Sequence, residues 1–466
     1  MSTRDLLQKT ARRAADYLES LPDRPVAPVA SPAQLREALG GPLGERGVPP
    51  EEVIEQLVRD ASGGIMASAG PRFFGFVVGG SLPAALAADW LAGAWDQNAG
   101  LSVLAPAAAV VEEVAGQWIR ELLGLPTGAS VGFVTGCQAA NFTALASARH
   151  AVLERAGWDV EGRGLYGAPE IAVVLGEEAH VTIRTALQML GLGRDRVHKV
   201  AVDGQGRMRA DALAEVLSTL GERPLIVCTQ AGNVNSGAFD PLAEIIPLAH
   251  RHGAWVHVDG AFGLWAGASA RFRPLVAGLE QADSWATDAH KWLNVPYDSG
   301  LVFTAHPAAH RAALTATAAY LDQTEGRDRD PFEWTPEFSR RARGFAVWAA
   351  LRSLGRQGVA ELVERTSDHA RLFADRLRTI PGIHILNDVV LNQTVVRIEP
   401  PGGGDEAASD AFTRASLLRV QQSGEAWPSG TTWRGKAAIR ISVSGWMTTT
   451  ADVERSVEAI RRAALR

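Results

Sequence analysis

The spacing of hydrophobic positions changes along the chain, and each spacing predicts a kind of element. Short apolar runs rich in β-branched residues occupy positions 171–175, 225–228, 255–259 and 300–303, and amphipathic helical windows separate them between about 105 and 305. Such runs are typical of buried strands, and strands that alternate with helices pair in a mostly parallel sheet. The pattern therefore predicts an α/β fold with helices on both faces of the sheet.

The two ends of the chain carry other patterns. Residues 1 to about 60 contain helical segments separated by proline-rich stretches, which predicts an N-terminal helical arm. From about 345 onward, a long helical segment precedes two strand-like runs and a closing helix, which predicts a smaller α+β domain. We expect three parts: the arm at 1–70, a large α/β domain at 71–340 and a small C-terminal domain at 341–466.

Charge and cysteine content narrow the class of protein. The net charge of −6 supplies no basic field for nucleic acid, and the chain has no stretch of about 18 apolar residues that would cross a membrane. Cys137 and Cys228 are the only cysteines, too few for a disulfide framework or a cysteine-rich zinc site. We therefore expect a cytoplasmic protein without a metal site, and neither nucleic acid nor membrane as a partner.

The chain hardly uses lysine. Of its 46 basic residues only Lys9, Lys199, Lys291 and Lys436 are lysine. A desolvated lysine can lose its proton and attack a carbonyl, which arginine cannot do. Lys291 lies between apolar segments, so we expect a lowered pKa and a Schiff base with an aldehyde; the alternative is a lysine that extends to solvent.

Further candidates follow predicted strand ends. Gly136, Cys137 and Gln138 form a turn that opens a helix, where backbone N–H groups suit a phosphate. Asp259 ends an apolar strand, needs a cation or hydrogen bonds, and could hold a proton on a heterocyclic nitrogen. His180 could stack on a planar cofactor or transfer protons. The structural alternatives are helix caps, an ion pair and a core histidine.

One glycine motif misleads. Gly162 to Gly167 reads GRGLYG and matches the dinucleotide-binding fingerprint. That fingerprint must follow a strand and open a helix, whereas here the strand at 171–175 comes after it. The motif therefore does not indicate nicotinamide binding.

An anion cradle, a buried acid, a stacking ring and an aldehyde-binding lysine together fit pyridoxal 5'-phosphate (PLP). Characteristic motifs surround these residues: PRFFGF at 71–76, the Pro106 and Glu112 segment ending at Trp118, TGCQAAN at 135–141, GAFDPL at 237–242, HVDGAFG at 257–263, DAHKW at 288–292, SRRARGFAVW at 339–348 and AIRISV at 438–443. With these motifs the sequence, from about Pro71 to its end, resembles the group II PLP-dependent decarboxylases, the family of aromatic amino acid and glutamate decarboxylases.

The resemblance implies the aspartate-aminotransferase-like fold, fold type I of PLP-dependent enzymes. It also implies a homodimer with active sites at the subunit interface and the arm packed on the partner. The implied roles are the internal aldimine for Lys291, the ring-nitrogen partner for Asp259, contact under the ring for Ala261, stacking on the opposite face for His180, the phosphate surroundings for Gly136, Cys137, Gln138, Asp288 and His290, and substrate contacts for Phe76 and Arg341.

The implied reaction is decarboxylation of an L-amino acid to an amine and carbon dioxide, with Lys291, His180 and Asp259 as catalytic residues. Aromatic residues favour an aromatic substrate: Phe73, Phe74, Phe76, Trp95 and Trp334. Arg327 and Arg329 would instead suit an acidic substrate.

Three departures from the family pattern matter. The turn TGCQAAN is one residue short, and Gly232 to Ser236 stand where threonines are usual. The interval Asp322 to Ser339 has no tyrosine, although a loop tyrosine protonates the α-carbon in typical members. Its loss favours the oxidative alternative, which yields an aldehyde, ammonia and peroxide; the retained His180 favours the amine. A retro-aldol lyase and a non-catalytic PLP-binding protein are further alternatives.

Overall fold

The computed structural model describes residues 1–315 and 328–465. The helices are α1 (Thr3–Ser20), α2 (Pro32–Leu39), α3 (Pro50–Ala61), α4 (Pro83–Trp95), α5 (Pro106–Leu123), α6 (Cys137–Arg155), α7 (Val160–Arg163), α8 (Val181–Met189), α9 (Ala210–Ser218), α10 (Leu242–Arg251), α11 (Pro307–Leu314), α12 (Gly344–Arg378), α13 (Glu406–Gln422) and α14 (Thr450–Ala464). The strands are β1 (Phe73–Phe74), β2 (Ser130–Val134), β3 (Ala172–Gly176), β4 (His198–Val200), β5 (Leu225–Gln230), β6 (Trp255–Asp259), β7 (Ser284–Asp288), β8 (Gly300–Thr304), β9 (Ile383–Ile385), β10 (Gln393–Ile398), β11 (Trp427–Trp433) and β12 (Lys436–Ser442).

The described chain divides into two compact units. The seven-stranded unit comprises Gly79–Ala370 and Asn387–Gln393. The five-stranded unit comprises Met1–Val78, Arg371–Leu386 and Thr394–Arg466. The domain limits at residues 70 and 340 stay a prediction.

The seven-stranded unit has the strand order β2-β8-β7-β6-β5-β3-β4. Strands β3 to β7 run parallel, and β8 runs antiparallel to both of its neighbours, β2 and β7. All four apolar runs predicted as strands are strands, namely β3, β5, β6 and β8, whereas the pattern did not predict β2, β4 and β7. The predicted α/β class is confirmed.

The core of this unit lies on both faces of the sheet, because the central strands are buried on both sides. All five residues of β6 are buried, as are those of β7. Helix α6 packs on the sheet and is in turn covered by α8 and α11. Its buried positions are mostly small, among them Ala140, Ala144 and Ala148, which lets its backbone approach the strands closely.

The five-stranded unit has the strand order β1-β11-β12-β10-β9. Helices α1, α2 and α3 belong to it and bury none of their residues. The core contains Phe74, whose ring meets that of Phe373 edge-on at 5.0 Å. The predicted strand-like runs and closing helix appear as β10, β12 and α14. No helix within the described residues is long and apolar enough to cross a membrane.

Candidate active site

The site forms where neighbouring strands of the seven-stranded sheet end. Strand β6 ends at Asp259, and the adjacent parallel strand β7 ends at Asp288. Gly300, at the start of the antiparallel β8, pairs with Asp288 on one side and with Val134 of β2 on the other. The sheet thus brings Asp259, Asp288 and the turn after β2 to one edge, the usual ligand-binding edge of such sheets.

Lys291 lies in this cluster and pairs with Asp288. Its Nζ is 2.9 Å from Asp288 Oδ2, and its side chain is 19% exposed. Burial by itself lowers the pKa of the Lys291 amine, but the charge and hydrogen bond of Asp288, together with the other acidic groups of the site, outweigh burial and hold the pKa above its ordinary value. The expected lowering of this pKa is therefore wrong for the cofactor-free chain, because a carboxylate reaches the amine.

The turn before α6 meets the same carboxylate. The backbone N–H of Cys137 donates to Asp288 Oδ1, and His290 Nε2 lies 3.4 Å from that oxygen. His290 Nδ1 accepts from the backbone N–H of Ser299 at 3.0 Å. Burial lowers the pKa of His290, so the neutral ring carries its hydrogen on Nε2, toward Asp288. The structure therefore brings Cys137, Asp288, His290 and Lys291 together.

Two glycines allow this close packing. A Cβ on Gly136 would lie 3.1 Å from His290 Cε1, and one on Gly300 would lie 2.4 Å from Gly136 Cα.

Gln138, which was also predicted at the phosphate, is exposed at the start of α6.

Asp259 is 5% exposed, and hydrogen-bond donors surround its carboxylate. Asn141 Nδ2 donates to Oδ2 at 3.2 Å, while Cys137 Sγ and the backbone N–H of Ala261 approach Oδ1 at 3.4 and 3.3 Å. Burial, followed by the charge of Asp259, raises the pKa of the Cys137 thiol well above its usual range, so sulfur keeps its hydrogen and donates. All three contacts come from donors, which suits the acceptor oxygens of a carboxylate.

His180 caps the N-terminus of α8. Its Nδ1 accepts from the backbone N–H of Thr182 at 3.4 Å and lies 2.8 Å from Thr182 Oγ1. That hydroxyl oxygen is 3.3 Å from Asn141 Nδ2. His180 and Asp259 therefore belong to one hydrogen-bonded network, although they come from different elements.

Sequence reasoning missed the residues that support the site. Asn141 and Thr182 connect the predicted residues, although the sequence pattern indicated no role for either. The buried His257 contacts Asn141, with 2.9 Å between His257 Nε2 and Asn141 Oδ1. Strand alternation was the available signal for His257, since residues two apart on β6 share a face with Asp259. Tyr297, whose ring stacks on His290 with centroids 4.2 Å apart, gave no signal.

The predicted substrate residues, Arg341 and Phe76, each contact another residue of their own unit. Arg341 is 44% exposed in its side chain and pairs with Asp89 at 2.8 Å. Phe76, in the five-stranded unit, is 62% exposed and lies against Trp427. Their roles stay predictions.

The other substrate-related residues have structural contacts. Phe73 and Phe74 are core residues of the five-stranded unit, because their rings are buried. Arg329 donates to the Val131 carbonyl, lies 3.9 Å from buried Glu112, and is not a solvated loop cation. Arg327 lies outside the described residues.

The residues present fit PLP by their chemistry. A lysine amine, an acid held by three donors and the N-terminus of a long helix supply an aldehyde-binding group, a ring-nitrogen partner and an anion cradle. Ser299, whose backbone N–H donates to His290 Nδ1, has a buried Oγ that is among the side-chain atoms without a hydrogen-bond partner in the described part of the chain. Buried polar groups are nearly always paired, so this hydroxyl suits a ligand with acceptor oxygens.

Comparison with known proteins identifies the class. Residues 32–399 match the model of the pyridoxal-dependent decarboxylase conserved domain, and the chain belongs to this family. It is therefore a PLP-dependent carboxy-lyase by family, with PLP as its cofactor.

Curated relatives and solved structures agree with this family. The chain is 26% identical over 448 residues to the aromatic-L-amino-acid decarboxylase of Bacillus atrophaeus, covering 94% of this chain and 90% of that protein. It is 30% identical over 382 residues to the L-2,4-diaminobutyrate decarboxylase of Rhizobium meliloti, covering 81% and 74%. A crystal structure of Oryza sativa TDC with PLP and tryptamine superposes with a TM-score of 0.92 at 24% identity, over 99% of this chain and 97% of that one. The fold is thus fold type I.

Proposed function

We propose that this chain decarboxylates an aromatic L-amino acid to the corresponding amine and carbon dioxide. The observation that carries the proposal is the convergence of Lys291, Asp288, Cys137 and Asp259 at one edge of the sheet. Relatives support the aromatic side chain, because several are named for aromatic amino acids. The aromatic residues of this chain support it less, since Phe73 and Phe74 are core.

Each residue has a distinct task in the proposed reaction. Lys291 would supply the amine that holds the cofactor aldehyde. Asp259 would keep a proton on the ring nitrogen, and His180 would contact the face of the ring. When bound, PLP supplies an electron sink for the pair left on the α-carbon after carbon dioxide departs. The N-terminus of α6, with Gly136 and Cys137, would hold the phosphate group.

The test is product analysis of PLP-loaded protein incubated in air with a panel of L-amino acids. We expect an amine from an aromatic substrate, detected by mass spectrometry, and loss of turnover in Lys291→Ala. Lys291→Arg is the matched control: it keeps the positive charge beside Asp288 but cannot form the aldehyde linkage, so it should also be inactive. Turnover retained in Lys291→Ala would overturn the assignment of Lys291.

A second candidate, oxidative decarboxylation to an aldehyde, rests on the missing tyrosine. The sequence interval 322–339 has none, and its described part from 328 carries Phe332 and Trp334 instead. Detection of the aldehyde and ammonia in place of the amine, together with oxygen consumption, would establish this oxidative route.

The proposal includes a homodimer acting in the cytoplasm. Helix α4 buries only Ala85 and Ala92, and it exposes Trp90, Leu91 and Trp95. So large an apolar surface suits burial against a second copy. Both cysteines are buried free thiols, which supports a reducing compartment.

A further inference from the structure

The side chain of Asn141 is fully buried on α6 and has contacts on both ends of its amide. Nδ2 lies 3.2 Å from Asp259 Oδ2 and 3.3 Å from Thr182 Oγ1, while Oδ1 lies 2.9 Å from His257 Nε2. An ionised carboxylate only accepts hydrogen bonds, so the NH₂ group must face Asp259. Reversing the amide would set two oxygens against each other. The orientation of Asn141 is therefore fixed by its partners.

The orientation of the Asn141 amide determines the positions of the hydrogens on the Thr182 hydroxyl and on His180. The second hydrogen of Asn141 Nδ2 points at Thr182 Oγ1, so the Thr182 hydroxyl directs its own hydrogen to its other neighbour, His180 Nδ1, at 2.8 Å. The backbone N–H of Thr182 donates to the same nitrogen. Since Nδ1 accepts two hydrogen bonds, a neutral His180 carries its hydrogen on Nε2.

The same orientation of the Asn141 amide determines the positions of the hydrogens on His257 and Ser284. Because Oδ1 accepts, His257 carries a hydrogen on Nε2. Burial lowers the pKa of His257 to about 4, so the ring is neutral and its Nδ1 accepts from Ser284 Oγ at 2.9 Å. Ser284 in turn accepts from Trp255 Nε1 at 2.9 Å. From Trp255 to His180, each hydrogen of the network thus has one position.

We propose that Asn141 is a positioning residue. Through its single side-chain amide it orients Asp259, the proposed partner of the cofactor ring nitrogen, and it selects the tautomer of His180 that carries its hydrogen on Nε2. The inference rests on the roles proposed above for Asp259 and His180. Asn141 acts through these two residues and through Thr182.

Variants separate the two connections that Asn141 makes, one to Asp259 and the other through Thr182 to His180. Asn141→Ala removes both connections, Thr182→Val removes only the hydroxyl that reaches His180, and Thr182→Ser keeps that hydroxyl. Ser147→Ala is the control: Ser147 lies on the same helix, is fully buried, and donates only to the Thr143 carbonyl. It therefore reports the effect of a lost buried hydrogen bond outside the network.

The readouts need PLP but no substrate. They are the dissociation constant of PLP, the pH dependence of the absorption of bound PLP, and its visible circular dichroism, which reports packing on the ring. Asn141→Ala should weaken PLP binding about tenfold, because a hydrogen bond to a charged group is lost, and should shift the pH dependence. Thr182→Val should change the dichroism alone, while Thr182→Ser and Ser147→Ala should match the unmodified protein.

Two results would overturn the inference. One is an Asn141→Ala protein with a lower melting temperature but unchanged PLP affinity and spectra. The other is a Thr182→Val protein with unchanged dichroism; this pair of Thr182 variants decides the matter if Asn141→Ala does not fold. A chain that gives the expected spectra but decarboxylates nothing would contradict the proposed function and leave this inference intact.

Discussion

Asp288 makes two contacts that have different consequences for the site. It accepts the Cys137 N–H at the start of α6, and it pairs with the Lys291 amine at 2.9 Å. The second contact keeps the amine protonated, yet only a neutral amine attacks an aldehyde. The Lys291 amine would therefore have to lose this proton, which Asp288 stabilises, before it could bind the cofactor aldehyde.

Replacing this carboxylate should move the pH dependence of PLP capture. In Asp288→Asn the pKa of the Lys291 amine falls, so the rate of PLP capture should reach its plateau at a lower pH than in the unmodified protein. Stopped-flow absorbance across the neutral and alkaline range measures this rate. Asp203→Asn, which alters a carboxylate paired with Arg207, should leave the profile unchanged. An unshifted Asp288→Asn profile would show that Asp288 does not hold the proton on Lys291.

Asp240 is a second buried carboxyl, outside the site. It is 5% exposed and accepts the backbone N–H groups of Met208 and Gln230, each at 2.7 Å. Burial raises the pKa of Asp240 to about 7, well above the ordinary value of an aspartate. A raised folded-state pKa means that the group stabilises the fold fully below the unfolded value and loses this contribution as pH rises through 7.

The Asp240→Asn variant should remove this pH dependence. Between about pH 5 and pH 8 the unmodified protein should lose about 2 to 3 kcal/mol of folding free energy from this group, and the variant should not. The melting temperature of the variant relative to the unmodified protein should therefore rise over that range, as measured by scanning calorimetry of the cofactor-free protein. A constant difference between the two proteins would contradict the assignment.

At the scale of elements, the edge of the sheet depends on contact between β8 and the turn before α6. Gly300 opens β8 directly against the backbone of Gly136, where no side chain fits. The antiparallel direction of β8 brings this glycine to the edge at which β7 ends. The sequence predicted β8 as a strand but gave no indication of its direction, which is decided by pairing.

Gly300→Ala should displace the turn and lower PLP affinity about tenfold, the cost of forcing a methyl group into a packed contact. The Cβ would lie 2.4 Å from Gly136 Cα. Gly128→Ala is the matched control, because a Cβ there meets nothing within 4 Å. PLP titration followed by absorbance measures both variants. Equal affinities would mean that the turn does not hold the phosphate.

At the scale of the whole molecule, the exposed face of α4 bears on the proposed dimer. Leu91→Arg places a charge among Trp90 and Trp95 and should shift the protein toward monomer, because a buried unpaired charge is costly. Sedimentation velocity measures the shift. Leu418→Arg, at a similarly exposed leucine on α13, should leave the association state unchanged. A Leu91→Arg protein that sediments like the unmodified one would exclude α4 from the interface.

The amino-acid sequence alone indicates the α/β class, the family and the residues that carry the chemistry. Strand runs and helical windows arise from local side-chain patterns, and the motifs around Asp259 and Lys291 are contiguous in the chain. Both can be recognised without knowing which strands are neighbours.

The contacts between these motifs follow from the tertiary fold and could not be read from the sequence. Cys137 reaches Asp288, and Asn141 joins Asp259 to Thr182 and His257, across separations of 41 to 151 residues. Such contacts depend on strand order and on how a helix packs on the sheet, which local patterns do not encode. For the same reason the sequence predicted a lowered pKa for Lys291, whereas the fold sets a carboxylate beside it and raises that pKa.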